Sequence, residues 1–364
     1  MPLDPFFAQR LRTHRRYLIG KALGDLKRKL PWASLPARAK TKADAAASAS
    51  PAASPVKTAP QPAPSGPREA RARHRRAALG WDRTEQRTVG TPGPDLRTTE
   101  HMVPVPGYPD VRVRIYHPDT PGPVPACLTF YGGAFRIGGI DYPTTDAAHR
   151  RRAAASGVAL VAVDYALAPE HRYPTQIEQA YAALEWVFAS GAELGLDTDR
   201  VAVDGASAGA CLAAALTLMN RDRAQHPIRL QILEVPVVDL TGGHIDLAAT
   251  RAVGIPSPIV TRELRSVRRT YLGGADRACE AYASPLLADS HAGLPPALIL
   301  TAEYDPLRRQ GEVYAAALRT AGVEASAARY LGVTHDIAIF TGVLAAARRW
   351  EAEVVSALRT LHNA

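Results

Sequence analysis

The residue best suited to covalent chemistry is Ser207, which lies at the centre of a five-residue segment bounded by Gly205 and Gly209. The apolar run at residues 201–203 predicts a buried strand before this segment, and the run at residues 211–216 predicts a helix after it. A strand that reverses into a helix so abruptly strains the central backbone and leaves no room for flanking side chains. The pattern therefore predicts an exposed serine Oγ that can act as a nucleophile and form a covalent acyl intermediate.

A serine nucleophile also needs a base, an acid that orients the base, and donors for the negative oxygen that forms on the attacked carbonyl. Gly132 and Gly133 follow an apolar strand-like run, and their backbone N–H groups, together with that of Ala208, are the predicted donors. Asp305 follows another strand-like run and is the predicted acid, and His335 is the predicted base. The order serine, acid, histidine differs from that of trypsin-like and subtilisin-like proteases.

The acid has two alternative interpretations. Asp305 precedes Pro306 and could be only the acidic residue at the start of a helix. Asp239 follows two valines and is the reserve candidate for the acid.

The other histidines are predicted to have no catalytic role. His171 belongs to a Pro-Glu-His sequence that we interpret as structural. The rest lie in the tails, or in polar and proline-rich stretches where they are expected to be solvated: His14, His74, His101, His117, His149, His226, His244, His291 and His362.

Five ordered blocks are similar to the motifs of one enzyme family. Residues 131–135 (YGGAF) resemble its H-G-G-G-F loop, residues 164–171 (DYALAPEH) its D-Y-R-L-A-P-E-H block, and residues 205–209 (GASAG) its G-D-S-A-G elbow. Residues 305–308 match D-P-L-R, and His335 stands on the histidine of H-G-F. Over most of its length after about residue 100, the sequence thus resembles the hormone-sensitive-lipase-like branch of the α/β-hydrolases, the bacterial family IV carboxylesterases.

The sequence departs from these motifs at four positions. Tyr131 replaces the loop histidine, Ala134 the third glycine, Ala206 the elbow aspartate, and Asp336 the glycine after the catalytic histidine. None of these changes removes a candidate catalytic side chain or a backbone N–H group. We expect them to affect loop rigidity and pocket polarity rather than the chemistry.

The resemblance implies an α/β-hydrolase fold, with a mostly parallel central sheet, helices on both faces and a small helical cap. It places the cap at about residues 75–100 and 244–283, over the acyl pocket. It also implies a serine carboxylesterase that hydrolyses short-chain esters of small molecules, without a metal or an organic cofactor.

The sequence also allows other functions. An amide or acetyl hydrolase would use the same residues. A ligand-binding protein on the hydrolase fold is a further alternative, although such proteins usually lack the serine or the histidine. In a third alternative, the basic N-terminal segment supplies the main function.

Hydrophobic periodicity predicts the elements that must position these residues. Short apolar runs at residues 159–163 and 230–233 predict buried strands of an alternating α/β chain. The alternating run at residues 111–116 predicts an antiparallel edge strand. The apolar repeat that starts at Ile337 predicts a last helix directly after His335.

The basic charge of the chain belongs to its first residues. The net charge is +9, but residues 1–80 contain 17 Lys and Arg against 4 Asp and Glu, so the other 284 residues carry a net charge of −4. The sequence therefore predicts a basic, largely disordered arm at residues 1–74 and a catalytic domain at residues 75–364. Residues 33–67 are an Ala/Pro-rich linker. The folded part gives no support for nucleic-acid binding.

The arm before the linker interleaves large apolar residues with Arg and Lys, which is typical of a segment that contacts an anionic membrane surface. The alternative is a solvated, partly helical tail. No apolar run near the start is long enough for a secretion signal, and the three cysteines are too scattered for a disulfide framework. We expect a cytoplasmic protein; the sequence leaves its oligomeric state open.

Overall fold

The computed structural model describes residues 2–12 and 66–363. The chain divides into two compact units, Asp4–Arg73 and a larger one that contains His74–Ala364. In the first unit, residues 5–12 are helical. Residues 33–65 of the predicted linker, and most of the apolar and basic residues on which the membrane prediction rests, lie outside the described residues.

One eight-stranded sheet forms the centre of the larger unit, in the order β1-β2-β4-β3-β5-β6-β7-β8. The first two pairs in this order, β1 with β2 and β2 with β4, are antiparallel, and all other pairs are parallel. The strands are β1 (Thr98–Val103), β2 (Val111–Tyr116), β3 (Val124–Phe130), β4 (Ala159–Asp164), β5 (Leu196–Ala206), β6 (Ile228–Glu234), β7 (Ala297–Ala302) and β8 (Ala325–Tyr330).

Helices connect the strands. The described part of the chain contains α1 (Pro67–Thr88), α2 (Pro143–Ser156), α3 (Thr175–Leu194), α4 (Ala208–Arg223), α5 (Leu247–Ala252), α6 (Ser257–Leu272), α7 (Arg308–Thr320) and α8 (Ala345–Arg359). Short 3₁₀ segments are Asp276–Cys279, Pro285–Leu287, Ile337–Ile339 and Thr360–Asn363. Among the described helices, none has the length and apolar character needed to cross a membrane.

The predicted fold class is confirmed: the protein has an α/β-hydrolase fold with a mostly parallel sheet. Every residue of β3 is buried, as expected for a strand that other strands and helices cover on both sides. Helices α5 and α6 lie within the segment assigned to the cap, between β6 and β7.

Three details differ from the sequence prediction. Strand β2 is antiparallel but is not an edge strand, because β1 pairs with its outer side. The sequence did not predict β1, which is polar and mostly half-exposed and shows no clear alternation of apolar and polar residues. Helix α1 begins at Pro67, so the last residues assigned to the disordered arm are helical. Helix α8 begins at Ala345, because the chain first turns at Gly342, whose N–H donates to the Val89 carbonyl.

A buried ionic cluster lies behind the strand ends that carry the site. The Arg152 guanidinium of α2 donates to both carboxylate oxygens of Glu234, at 2.7 and 2.9 Å, and to Asp204 at 3.2 Å. The indole N–H of Trp350 donates to the same Glu234 carboxylate. Burial and the charge of Glu234 raise the pKa of Asp204 above its ordinary value, although Arg152 acts in the opposite direction.

The structure corrects the expectation that several histidines are solvated, since His117 and His291 are buried as well as His149. His149, which we expected to be solvated, is buried in α2 beside Thr129, and burial lowers its pKa to about 3. The sequence shows the polar composition of this segment but not the face of the helix that packs on the sheet.

We predict that Arg152→Met lowers the free energy of unfolding by about 3–5 kcal/mol, because it leaves the Glu234 carboxylate buried without its cation. Urea denaturation of both proteins would measure the change. The control is Arg200→Met, which removes the half-exposed ion pair with Asp197 and should cost at most about 1 kcal/mol. Equal losses in the two variants would contradict the role assigned to the cluster.

Candidate active site

Ser207 occupies the turn between β5 and α4, where the sequence predicts it. Its backbone has φ 55° and ψ −112°, a conformation that L-residues rarely adopt. Its N–H donates to the Glu234 carbonyl at 2.8 Å, so the end of β6 holds the turn. A Cβ on Gly209 would lie 2.0 Å from the Phe130 carbonyl oxygen, and one on Gly205 would lie 2.3 Å from the Gly209 oxygen. The two glycines are therefore steric requirements of the turn.

His335 links the serine to a carboxylate. Its Nε2 lies 3.0 Å from Ser207 Oγ, and its Nδ1 lies 2.8 Å from Asp305 Oδ2. With the carboxylate as acceptor, Nδ1 carries the proton and Nε2 can accept the hydrogen of the serine hydroxyl. Burial alone would lower the pKa of His335, but the charge and hydrogen bond of Asp305, with the nearby Asp336 carboxylate, raise it to about 9.

Asp305 is fully buried in the turn that follows β7, and its second oxygen accepts the Leu307 N–H at 2.9 Å. The reserve acid, Asp239, lies elsewhere: its carboxylate contacts Nδ1 of His244 at 2.8 Å and accepts from Thr241. The sequence predicted that His244 is solvated, but its imidazole contacts the Asp239 carboxylate. The structure brings together Ser207, His335 and Asp305, and leaves Asp239 outside this chain of hydrogen bonds.

The glycine loop (residues 131–138) lies beside the elbow. A Cβ on Gly132 would lie 3.5 Å from Ser207 Cβ, and one on Gly133, where φ is 143°, would lie 2.0 Å from the Ile137 carbonyl oxygen. Within the described part of the chain, the N–H groups of Gly132, Gly133 and Ala208 have no protein acceptor. These three predicted donors are therefore free to bind a ligand oxygen.

Tyr131 and Tyr165 hold the base of the glycine loop. Each phenol donates to the carbonyl oxygen of the other residue, at 2.9 and 2.7 Å, and the two rings stack with centroids 4.2 Å apart. Both side chains are buried. The residue that replaces the family's loop histidine thus braces the loop through a reciprocal pair of hydrogen bonds.

The outer end of the glycine loop contacts α6. The ring of Phe135 stacks on that of Tyr271, with centroids 3.7 Å apart and an interplanar angle of 2°. Arg136 pairs with Glu263 and donates to Ser266. The helix within the predicted cap segment is therefore tied to the loop beside the serine.

Tyr165 and Tyr271 contact the glycine loop, although the sequence did not mark either residue as part of the site. Tyr165 lies in the D-Y-A-L-A-P-E-H block, which marked the segment without giving its contact. Tyr271 lies near the end of α6, and the sequence of this helix does not reveal that its partner is Phe135. Within the described residues, no cluster of His, Cys, Asp and Glu is arranged to hold a metal ion.

A sheet of this order with a serine elbow after β5 is the architecture of the α/β-hydrolases. A family profile described as the alpha/beta hydrolase fold matches residues 127–339. The chain is 36% identical over 275 residues to Carboxylesterase NlhH of Mycobacterium tuberculosis, and this match covers 74% of the chain and 84% of the relative. It is 33% identical over 251 residues to an ethyl acetate hydrolase of Pseudomonas putida, and this match covers 68% of the chain and 77% of the relative.

A solved structure agrees with these relatives. The crystal structure of EstE1, a thermostable carboxylesterase cloned from a metagenomic library, is 36% identical to this chain, with a TM-score of 0.73. The match covers 80% of this chain and 97% of EstE1. The chain belongs to the hormone-sensitive-lipase-like family IV carboxylesterases, and it is a carboxylic ester hydrolase.

The electrostatics of His335 predict the pH dependence of the reaction. Only the neutral imidazole can accept a proton, so kcat/KM should rise with pH, with an apparent pKa above the ordinary histidine value of about 6.5. Asp305→Asn removes the charge that raises this pKa, so the midpoint should move to lower pH and the rate should fall. A pH series with one soluble chromogenic ester would measure both effects.

Asp239→Asn is the matched control, because its carboxylate pairs with His244 and should leave the midpoint unchanged. A midpoint that stays fixed in Asp305→Asn, or moves equally in Asp239→Asn, would contradict the assignment of the acid.

Proposed function

We propose that the protein is a serine carboxylesterase that hydrolyses short-chain, acetyl-type esters through Ser207, His335 and Asp305. The observation that carries the proposal is the continuous chain of hydrogen bonds from the serine Oγ through both imidazole nitrogens to a buried carboxylate. A serine hydroxyl is a poor nucleophile at neutral pH, and this arrangement supplies the base that activates it.

In the proposed first step, Ser207 Oγ attacks the ester carbonyl carbon while its proton moves to His335 Nε2. The tetrahedral intermediate then collapses: its bond to the alcohol oxygen breaks, and His335 returns the proton to that oxygen. In the second step, a water molecule gives a proton to His335 and attacks the carbonyl carbon of the acyl-serine. The bond from that carbon to Ser207 Oγ then breaks, and His335 returns the proton to Oγ, which releases the acid and restores the hydroxyl. Asp305 holds the imidazole in one tautomer and stabilises its protonated form.

The negative oxygen of both intermediates would be bound by the backbone N–H groups of Gly132, Gly133 and Ala208. Their freedom from protein acceptors supports this role, and so does the short distance between Gly132 and the serine. Each such donor is worth about 3–4 kcal/mol of the barrier, because it is oriented before charge develops.

Two observations support a short acyl group. The stacked rings of Phe135 and Tyr271 are fully buried where the glycine loop meets α6, and in this proposal they limit the space for an acyl chain. The Pseudomonas putida relative is named an ethyl acetate hydrolase, whose named substrate carries an acetyl group. In this proposal α1, α5 and α6 form the cap that limits the length of the acyl chain.

Ser207→Ala tests the nucleophile. The wild-type protein should hydrolyse p-nitrophenyl acetate and incorporate one organophosphate per chain, at Ser207, because its activated hydroxyl is the group arranged to form a covalent adduct. The variant should lose the label and nearly all turnover, as mass spectrometry and a colorimetric assay would show. Labelling at Ser207 without turnover of any ester would favour the ligand-binding alternative, and a variant with most of its activity would exclude Ser207.

The acyl preference is tested with p-nitrophenyl esters of increasing chain length. We expect kcat/KM to be highest for acetate or butyrate and to fall for longer chains, because the buried aromatic pair limits the space. Tyr271→Ala removes one ring of the pair and should shift the preference toward longer chains. Long acyl esters as the best substrates of the wild-type protein would contradict the short-chain proposal.

A further inference from the structure

We propose that Arg75 is a positioning residue of the hydrolytic reaction. From α1, its side chain holds the glycine loop against the neighbouring loop of residues 165–171. The proposal rests on the proposed function, because it takes Gly132 and Gly133 as the donors to the oxyanion. Arg75 lies outside the blocks that resemble the family motifs, and nothing in its sequence surroundings marks it.

The Arg75 guanidinium donates to a backbone carbonyl in each of the two loops. Its Nε lies 3.0 Å from the Arg136 carbonyl oxygen, and its Nη2 lies 3.0 Å from the Ala168 carbonyl oxygen. The same Nη2 lies 2.6 Å from a carboxylate oxygen of Glu170. Hydrogen bonds from a charged donor are stronger than those between neutral groups, and the rigid fork of an arginine fixes the distance between its two acceptors.

The glycine loop needs such a restraint because its backbone is strained. Ala134 and Phe135 have φ values of 54° and 59°, which cost a residue with a Cβ about 1 kcal/mol or more each. The family motif has glycine at the first of these positions, where a positive φ carries no such penalty. In this chain the conformation persists only while surrounding contacts hold it.

Contacts between the two loops are arranged on both sides of the strained pair. Before it, Tyr131 and Tyr165 exchange hydrogen bonds. Within it, the Phe135 carbonyl accepts the Ala168 N–H at 2.8 Å. After it, Arg75 holds the next carbonyl, that of Arg136. Without Arg75, the strained turn would be restrained less at its outer end, and the Gly133 N–H would be free to move away from the oxyanion.

Among the described contacts, none joins Arg75 to Ser207, His335 or Asp305. Loss of Arg75 should therefore weaken binding of the transition state without changing the pKa of the base. A lower rate with an unchanged pKa of the base would distinguish a displaced oxyanion donor from a disturbed arrangement of Ser207, His335 and Asp305.

The experiment compares the hydrolysis of p-nitrophenyl butyrate by wild-type protein, Arg75→Ala and Arg75→Gln. Each rate is divided by the amount of reactive serine, which is measured as the final amount of organophosphate label. We expect kcat to fall by about tenfold to a hundredfold, since a displacement of about 1 Å can cost a hundredfold, while KM and the apparent pKa stay unchanged. The inhibition constant of butylboronic acid should rise by a similar factor, because its adduct with serine places an oxygen at the same donors.

Two variants serve as controls. Arg76→Ala removes the neighbouring arginine of α1, which is exposed, and should behave as wild type. Glu170→Gln removes the carboxylate but keeps both carbonyl contacts of Arg75, and should lose much less activity than Arg75→Ala.

The proposal is overturned if kcat per labelled serine is unchanged in a folded Arg75 variant, if only KM changes, or if Arg76→Ala loses as much activity. If Arg75→Ala does not fold, Arg75→Gln decides by the same criteria. Failure of the proposed function gives a different result, because the wild-type protein would then not be labelled at Ser207.

Discussion

The backbone conformation of Ser207 is the constraint on which the other parts of the site depend. A residue with φ 55° at the end of a strand stays there only if the surrounding chain leaves no alternative. The carbonyl of Glu234 binds its N–H, and the Phe130 carbonyl packs against Gly209 so closely that no side chain fits. Residues of three adjacent strands thus hold Ser207, the proposed nucleophile, in this conformation.

The glycine loop repeats this principle opposite the serine. Its left-handed residues, Ala134 and Phe135, are held by contacts to a loop about 30 residues later in the chain and to helix α1. The serine and the loop are both strained, and each is restrained from outside. This agrees with the need for preorganised donors in ester hydrolysis, since donors that must move when charge develops lose much of their effect.

Charge in the interior serves two different purposes. The Asp305 carboxylate lies against the imidazole of His335, which changes its protonation state in the proposed mechanism, and it raises the pKa of that group. The Glu234 carboxylate is bound by Arg152 and Trp350, and its backbone carbonyl holds the serine N–H. In the proposed mechanism the first carboxylate sets the basicity of the imidazole, whereas the second stabilises the end of the strand whose carbonyl holds the serine N–H.

The sequence alone determined the elbow, the order of the candidate site residues, the fold class and the family resemblance, because glycine spacing and apolar periodicity are local properties of the chain. It did not reveal that β1 covers the edge of β2, that Asp239 pairs with His244, or that Tyr131 pairs with Tyr165. It also did not mark Arg75 or Arg152. Those contacts join residues far apart in the chain, and only the packing of strands and helices decides which side chains meet.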